Sequence, residues 1–418
     1  MEKYLHTATL IYFMICAYTS HSQNTWDKMA SFDGGERERA VAFSIGGRGY
    51  TGTGVDSANQ VRKDFWEYDP GTNSWTQKAD VPGLVRRDAV GFAIGNRGYI
   101  GTGINTVISY LGTKQKDFYE YNPVTNSWTA KANYPGNNNH GIYYACAFAT
   151  STKGYICCGK AGASSYIAQT WEYNQATNTW TQKAAFPGGI RYGATAFAIG
   201  DMGYVGCGAD ENMYRKDFYQ FNTATGVWSQ KTDFAGSNRF NAIGFSIGDR
   251  GYISLGTDGG YQKDLWQYTP SSDSWGQKAD LPGGARRSAI AFTVDGYAYA
   301  GTGKGTSGIK RSIYRYTPGG FDPVAKHNLD EGNSLTTVTP NPVVESAIIS
   351  LHQTFQIESS ILAVFDASGK EVFRSYDVNK SLFKFQRKNL PPGIYFYDVE
   401  IKDADEKISH SGGKLILQ

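Results

Sequence analysis

Tyr121-Asn122-Pro123-Val124-Thr125-Asn126-Ser127-Trp128 is a turn flanked by two aromatic residues, and the chain repeats it. The same frame runs from Tyr68 to Trp75, Tyr173 to Trp180 and Tyr268 to Trp275, and Phe221 stands in for the tyrosine before Trp228. With Trp26 included, six tryptophans head near-copies 47 to 53 residues long. A unit of this length is one supersecondary element that cannot bury its own apolar face, so neighbours must stack, and a ring of six closes the stack. The period therefore predicts an all-β fold, a six-bladed β-propeller.

Working outward from that turn, the second unit reads as four strands. They are Trp75 to Ala79, Arg86 to Ile94 after the Pro82-Gly83 turn, Gly98 to Thr102 after Gly95-Asn96, and Lys116 to Tyr121 after a longer loop. The ends of the array suit a ring. The last unit reaches Ser312-Ile313-Tyr314-Arg315-Tyr316 and lacks a Trp strand, while Trp26 to Ala30 begins with no partner before it. One deficit answers the other, so the N-terminal strand is expected to complete the sixth blade and to cover an edge that would otherwise be free. Composition agrees: 50 Gly, 29 Tyr, 22 Phe and 9 Trp in 418 residues describe short aromatic strands joined by tight turns. A net charge of +3 is too mild to argue for a nucleic-acid partner.

The Tyr and Trp with six residues between them resemble the repeats of the kelch family, over residues 26 to about 320. Kelch units usually carry a double glycine after the second strand; here Gly52-Thr53-Gly54, Gly101-Thr102-Gly103, Gly206-Cys207-Gly208 and Gly301-Thr302-Gly303 stand instead. The resemblance implies a ligand site at one mouth of the ring. The variable loops gather on one face, among them Val55 to Arg62, Ile104 to Gln115 and Ala209 to Arg215, and function on a rigid propeller resides in such loops.

Arg37, Arg86, Arg191, Arg239 and Arg286 are equivalent in five repeats, with Ile142 in the third. Two readings are open. Five guanidinium groups facing one funnel would receive a carboxylate or sulfate, for which the planar fork is suited. Alternatively the arginines hydrogen-bond backbone between blades. Asp210 and Glu211 lie in a loop on the same face, and a carboxylate there could act as general base on a bound sugar acid. Sialic acid epimerases are six-bladed kelch proteins, so the resemblance makes such an epimerase the leading enzyme alternative; solvated loop charges are the plain alternative. Asp64, Asp117, Asp217 and Asp264 recur in a Lys-Asp motif, and their regularity favours a structural role. With His140 the only histidine in the propeller, a copper site of the galactose oxidase type is not expected, nor any cofactor or metal. Of the mature cysteines, Cys158 and Cys207 fill a repeat threonine position, and Cys146 and Cys157 face each other across a hairpin, where a disulfide is open.

Both ends read as addresses. Residues 1–22 have the layout of a signal peptide, with an apolar run from Ala8 to Tyr18 that is too short to span a membrane. The propeller takes 23–320 and a polar linker 321–334. Residues 335–418 form a short β-rich domain with ordered landmarks: Pro340-Asn341-Pro342, the Gly369-Lys370 turn, Gly393 and Tyr395 in a Leu-x-x-Gly-x-Tyr strand, and Lys414 in the Lys-Leu-Ile ending. They resemble the C-terminal sorting domain of the type IX secretion system of Bacteroidota, a small β-sandwich. The resemblance implies a secreted or outer-membrane surface protein that passes through the periplasm and engages that machinery. The expected role is a binding module for a glycan or protein ligand, with a sugar epimerase second and a structural scaffold third. No nucleic acid and no transmembrane segment are expected in the mature protein.

Overall fold

Tyr121 and Trp128 face each other on neighbouring antiparallel strands, ring centroids 4.9 Å apart, because the six-residue turn between them folds the chain back on itself. Asn126, left-handed at φ 48°, makes the turn possible; asparagine tolerates that region better than most residues. Its Oδ1 accepts the Tyr121 hydroxyl at 2.9 Å and the Ala79 N–H at 3.0 Å in the preceding blade, while Trp128 Nε1 donates to Ala79 O at 2.8 Å. The repeated turn is thus both a hairpin and a rivet between blades.

The computed structural model describes residues 24–108, 111–162, 164–318, 336–351, 357–366, 371–378, 382–403 and 408–418. The expected signal segment and linker lie outside them, as does the Gly369-Lys370 turn. Six four-stranded sheets form the blades of the propeller. Blade 1 comprises Val41–Ile45, Arg48–Gly52, Phe65–Asp69 and Ser74–Lys78 from inside to outside; blade 2 comprises Val90–Ile94, Arg97–Gly101, Phe118–Asn122 and Ser127–Ala130. Blade 3 runs Cys146–Ala149, Lys153–Lys160, Tyr166–Asn174 and Thr179–Lys183, and blades 4 and 5 start their inner strands at Thr195 and Ile243. In blade 6 the inner strands Ile290–Val294, Tyr297–Gly301 and Ile313–Thr317 receive Thr25–Met29 as outermost strand, with Trp26 opposite Tyr316. The ring closes with its two chain ends in one sheet, and Trp26 Nε1 donates to Ala279 O at 2.8 Å in blade 5, repeating the rivet.

Blade packs on blade through aromatic rings. Phe118 meets Trp180 edge-on at 5.0 Å and Phe218 meets Trp275 in the same way, an arrangement worth about 1 kcal/mol beyond the area it buries. A Cβ on Gly98 would stand 2.4 Å from the Phe43 ring, so glycine is what lets blade 2 close on blade 1. Alanines 40, 89, 145, 194 and 242 line the axial channel, of about 160 Å³.

The inner strand of blade 2 begins at Val90, not at Arg86. Asp88 is left-handed at φ 51°, which ends the strand, and the repeat-equivalent Arg39, Tyr144, Gly193, Asn241 and Ser288 share that conformation. Their backbones form a closed circle: each N–H donates to the equivalent carbonyl of the neighbouring blade at 2.9–3.1 Å, from Asp88 to Arg39, Arg39 to Ser288, and so on around to Tyr144 and back to Asp88. A hydrogen-bond ring of this kind satisfies groups that a strand would have paired internally.

The C-terminal residues form two sheets. One holds Thr336–Thr339, Ser346–Leu351 and Leu382–Gln386; the other holds Glu371–Val378, Ile357–Asp366, Gly393–Asp403 and Ile408–Leu417. Ile349, Leu362, Val364, Phe383, Val399 and Leu415 fill the space between them.

Candidate functional site

The five repeat-equivalent arginines do not face a funnel. Arg37, Arg86, Arg191, Arg239 and Arg286 are each at most 1% exposed, among the largest fully buried side chains of the protein. Arg86 sends Nη1 to Asp117 Oδ1 at 2.9 Å and Nη2 to Oδ2 at 2.8 Å, a bidentate pair, and donates further to Thr102 O at 3.1 Å. Arg37 pairs in the same way with Asp64, Arg191 with Asp217 and Arg239 with Asp264. Each Arg also holds the carbonyl of the residue before the loop glycine, the middle one of Gly-x-Gly in most blades and Leu255 of Ser254-Leu255-Gly256 in blade 5, and that residue is left-handed: Thr53 at φ 63°, Thr102 at 60°, Cys207 at 58°, Leu255 at 62°. A left-handed residue other than glycine costs about 1–2 kcal/mol. The clasp offsets this with charge-assisted bonds. The physical reason for the correction is saturation: with both Nη atoms committed to partners within the blade, these buried guanidinium groups offer no fork to a ligand. Arg286 is the partial case, because Ser312 occupies the Asp position, and its Nη1 reaches Ser312 Oγ at 3.1 Å and Thr302 O at 3.0 Å. Burial draws its pKa below the usual arginine value.

Asp210 is likewise committed. Its Oδ1 accepts the N–H groups of Asn212 at 2.8 Å and Met213 at 2.9 Å, and Oδ2 accepts Arg215 Nε at 2.6 Å. Burial alone would raise its pKa, but the Met213 and Asn212 N–H groups and the Arg215 guanidinium outweigh it and hold the carboxyl below the usual range. Asp56 is tied into its loop by Arg62 and two N–H groups in the same manner. Glu211 is exposed beside Asp210. The four cysteines of the described residues are buried free thiols, although Cys146 and Cys157 do stand opposite each other, and burial raises Cys207 to about 12.

A different cationic group occupies the mouth, one and two positions after the clasp. Arg39 donates Nη1 to the Tyr144 hydroxyl and to Asp88 Oδ2 at 3.3 Å. Arg87 and Arg287 also act electrostatically on the Tyr144 phenol, opposing the upward shift that burial and Asp88 impose on it. Arg287 is half-buried, its guanidinium 5.8 Å from the Tyr261 ring. Arg39 alone bonds the Tyr144 hydroxyl; Arg87 is buried, its guanidinium committed to Asp88, Thr106 O and Val107 O, so Arg39 and the half-buried Arg287 are the guanidinium groups of the mouth that reach its surface, beside the carboxylates of Glu38 and Asp88. Blades 3, 4 and 5 supply an aromatic wall: Tyr144 to Phe240 at 5.5 Å, Tyr192 to Phe240 at 5.1 Å, Tyr166 stacked on Tyr192 at 5.1 Å. Lys160 Nζ lies 4.7 Å from both the Tyr166 and Tyr192 centroids, and burial lowers its pKa. A carboxylate or sulfate can be held by guanidinium forks while an adjoining ring stacks on tyrosine faces.

Comparing the repeats with one another would have found this mouth. The clasp position is arginine in five units of six, whereas the next two are Glu38-Arg39, Arg87-Asp88, Tyr143-Tyr144, Tyr192-Gly193, Phe240-Asn241 and Arg287-Ser288. A position that every blade needs holds the blade together; one that differs in each blade at the same geometry is free to serve a ligand.

In the C-terminal sheets, Asn341 joins the two ends of the sorting motif: its Nδ2 donates to Lys414 O and its Oδ1 accepts Ile416 N–H, both at 2.8 Å. Pro340 and Pro342 both follow cis peptide bonds. Tyr395 is buried with its hydroxyl on Pro391 O at 3.0 Å, and Gly393 begins the strand that carries it. Residues 337–416 match the family model described as secretion system C-terminal sorting domain. That address marks the protein for secretion or cell-surface attachment through the type IX system. Among the described residues no helix is long and apolar enough to cross a membrane. The solved structure titled "Structure of YjhT" shares the fold with a TM-score of 0.56 at 16% identity, over 68% of this chain and 96% of that one. No curated protein matches the sequence.

Proposed function

We propose that the propeller is a binding module for an acidic glycan, carried to the cell exterior by its sorting domain and presenting the mouth formed by Arg39, Arg287 and the tyrosine wall. The observation that carries this reading is Arg39, partly exposed and bonded to the Tyr144 hydroxyl, beside the tyrosine and phenylalanine wall of Tyr192 and Phe240, the two halves that an acidic sugar requires. A binding role is favoured over an epimerase because Asp210 is consumed by its own loop. The observation that keeps an enzyme in view is Glu38, buried beside Arg39 with an Oε2 that has no hydrogen-bond partner. The test is titration calorimetry of the whole protein with glucuronate, N-acetylneuraminate and a sulfated galactose. At least one should bind, and Arg39→Ala combined with Arg287→Ala should weaken it at least tenfold while the thermal midpoint holds. Unchanged affinity in that variant would overturn the assignment of the mouth.

A further inference from the structure

We infer that the ligand of this face is an acidic oligosaccharide and not a single sugar acid, with its second anchoring point in a cleft between blades 2 and 3. The inference rests on the reading of the mouth given above. The cleft has a volume of about 560 Å³, and its hydrogen-bonding side chains come from Thr113, Lys114, Asn137, His140 and Ser165. Among the described residues no carboxylate lines it, and Lys114 and His140 are its basic groups. A polar, basic hollow of this size suits a sugar ring or two carrying an anionic substituent.

The cleft arises where blade 3 departs from the repeat. Ile142 replaces the clasp arginine and Gln169 replaces its aspartate. Gln169 Oε1, with no guanidinium to hold, accepts the Asn137 N–H at 2.9 Å and Trp171 Nε1 at 3.2 Å. It thereby steadies a turn in which Asn137, Asn138 and Asn139 are all left-handed, at φ 51°, 54° and 64°. Three consecutive residues in that region are costly, and such strain gathers where a chain must display side chains in one geometry. Here it sets Asn138, Asn139 and His140 exposed at the lip. The opposite wall is fitted closely: a Cβ on Gly141 would stand 2.2 Å from Lys114 O.

One residue couples cleft to mouth. Arg87 donates Nε to Thr106 O at 2.7 Å and Nη2 to Val107 O at 3.0 Å, gripping the loop whose far side, Gly112 to Lys114, walls the cleft. Asn105 Oδ1 accepts the Thr113 N–H at 2.8 Å and ties the two limbs of the loop. Mouth and cleft therefore flank a single braced loop at a set spacing. A monosaccharide can occupy one of them; a chain with acidic groups on separate sugars can occupy both, and gains the second contact without a second loss of translational freedom.

The experiment compares monomer and tetrasaccharide on the full chain, in one arm as galacturonate and in the other as sulfated galactose, with Lys114→Ala plus His140→Ala as the cleft variant and Arg287→Ala as the mouth variant. The expected result in at least one arm is a tetrasaccharide bound at least tenfold more tightly than its monomer, that gain lost in the cleft variant with monomer affinity unchanged, and both ligands weakened in the mouth variant. If monomer binds and the tetrasaccharide gains nothing, or its gain survives the cleft variant, the second anchoring point is overturned and the mouth stands. If neither arm binds, the mouth reading itself falls, and this inference with it.

Discussion

Blades 2 and 3 are built on the same frame and diverge at one pair of residues. Both stack a second-strand aromatic on its neighbours, Tyr99 with Phe118 in one and Phe148 with Tyr155 in the other, and both fasten the outer tryptophan to the preceding blade at 2.8 Å. Blade 2 closes its loop-side edge with the buried Arg86 paired to a half-buried Asp117; blade 3 places Ile142 and Gln169 there and opens a cleft beside them. The two solutions teach that the clasp is a stability device replaceable by apolar packing, because a buried ion pair gains little over a well-packed hydrophobic substitute, although losing one partner is severe. The protein itself shows that charge is surrendered by both partners together in blade 3.

The largest effect should come from breaking the clasp on one side only. Asp117→Ala leaves the Arg86 charge buried without its carboxylate and should cost about 3–5 kcal/mol in denaturant unfolding. The double change Arg86→Ile with Asp117→Gln, which transplants the blade 3 solution, should recover most of that loss; a double variant as unstable as the single one would refute the equivalence of the two blades. A gain of intermediate size is expected in blade 6, where Arg286 lacks a carboxylate. Ser312→Asp would complete the clasp and should raise stability by about 1–2 kcal/mol, read as a shift in the same unfolding midpoint. The smallest effect concerns the outer face of blade 3, where Glu172 binds Lys153 at 2.7 Å, the Tyr155 hydroxyl at 2.9 Å and Lys183 at 3.2 Å. Burial would raise its pKa, but these three partners overcome it and lower the value. A carboxyl whose folded pKa lies below its unfolded one stabilises fully above about pH 4.3, and that contribution is lost as pH falls through the folded value. Thermal midpoints from pH 7 to pH 3 should therefore show the native protein losing its advantage over Glu172→Gln, about 1 kcal/mol at neutral pH, as acid is added. An advantage that persists at pH 3 would mean the glutamate acts through packing.

Much of this was legible in the chain because it is local or periodic. Closure of the ring followed from counting strands at both ends, and Trp26 does pair into blade 6. The structural role of Asp64, Asp117, Asp217 and Asp264 followed from their regularity. Their partners did not: Arg37 and Asp64 are 27 residues apart, Arg86 and Asp117 31, and only the hairpin path that returns the third strand past the inner one brings them together. The strand expected from Arg86 hid the left-handed Asp88, a conformation forced by a hydrogen bond to the neighbouring blade and not by residue type.

By itself the sequence determined the all-β class, the six-fold repeat, the closure of the ring and the sorting address, since turn chemistry, aromatic spacing and period are properties of neighbouring residues. Only the tertiary structure decided what each arginine is buried against, and that Arg39 and Arg287 are the ones left partly exposed at the mouth. Arg86 and Arg87 differ by one position in the chain, but the backbone turns sharply through Asp88. Both are buried, one against the Asp117 carboxylate of its own blade and the other against the carbonyls of Thr106 and Val107 in the loop at the mouth, because a side chain's partners are set by the strands and loops that pack around it and not by the residue alone.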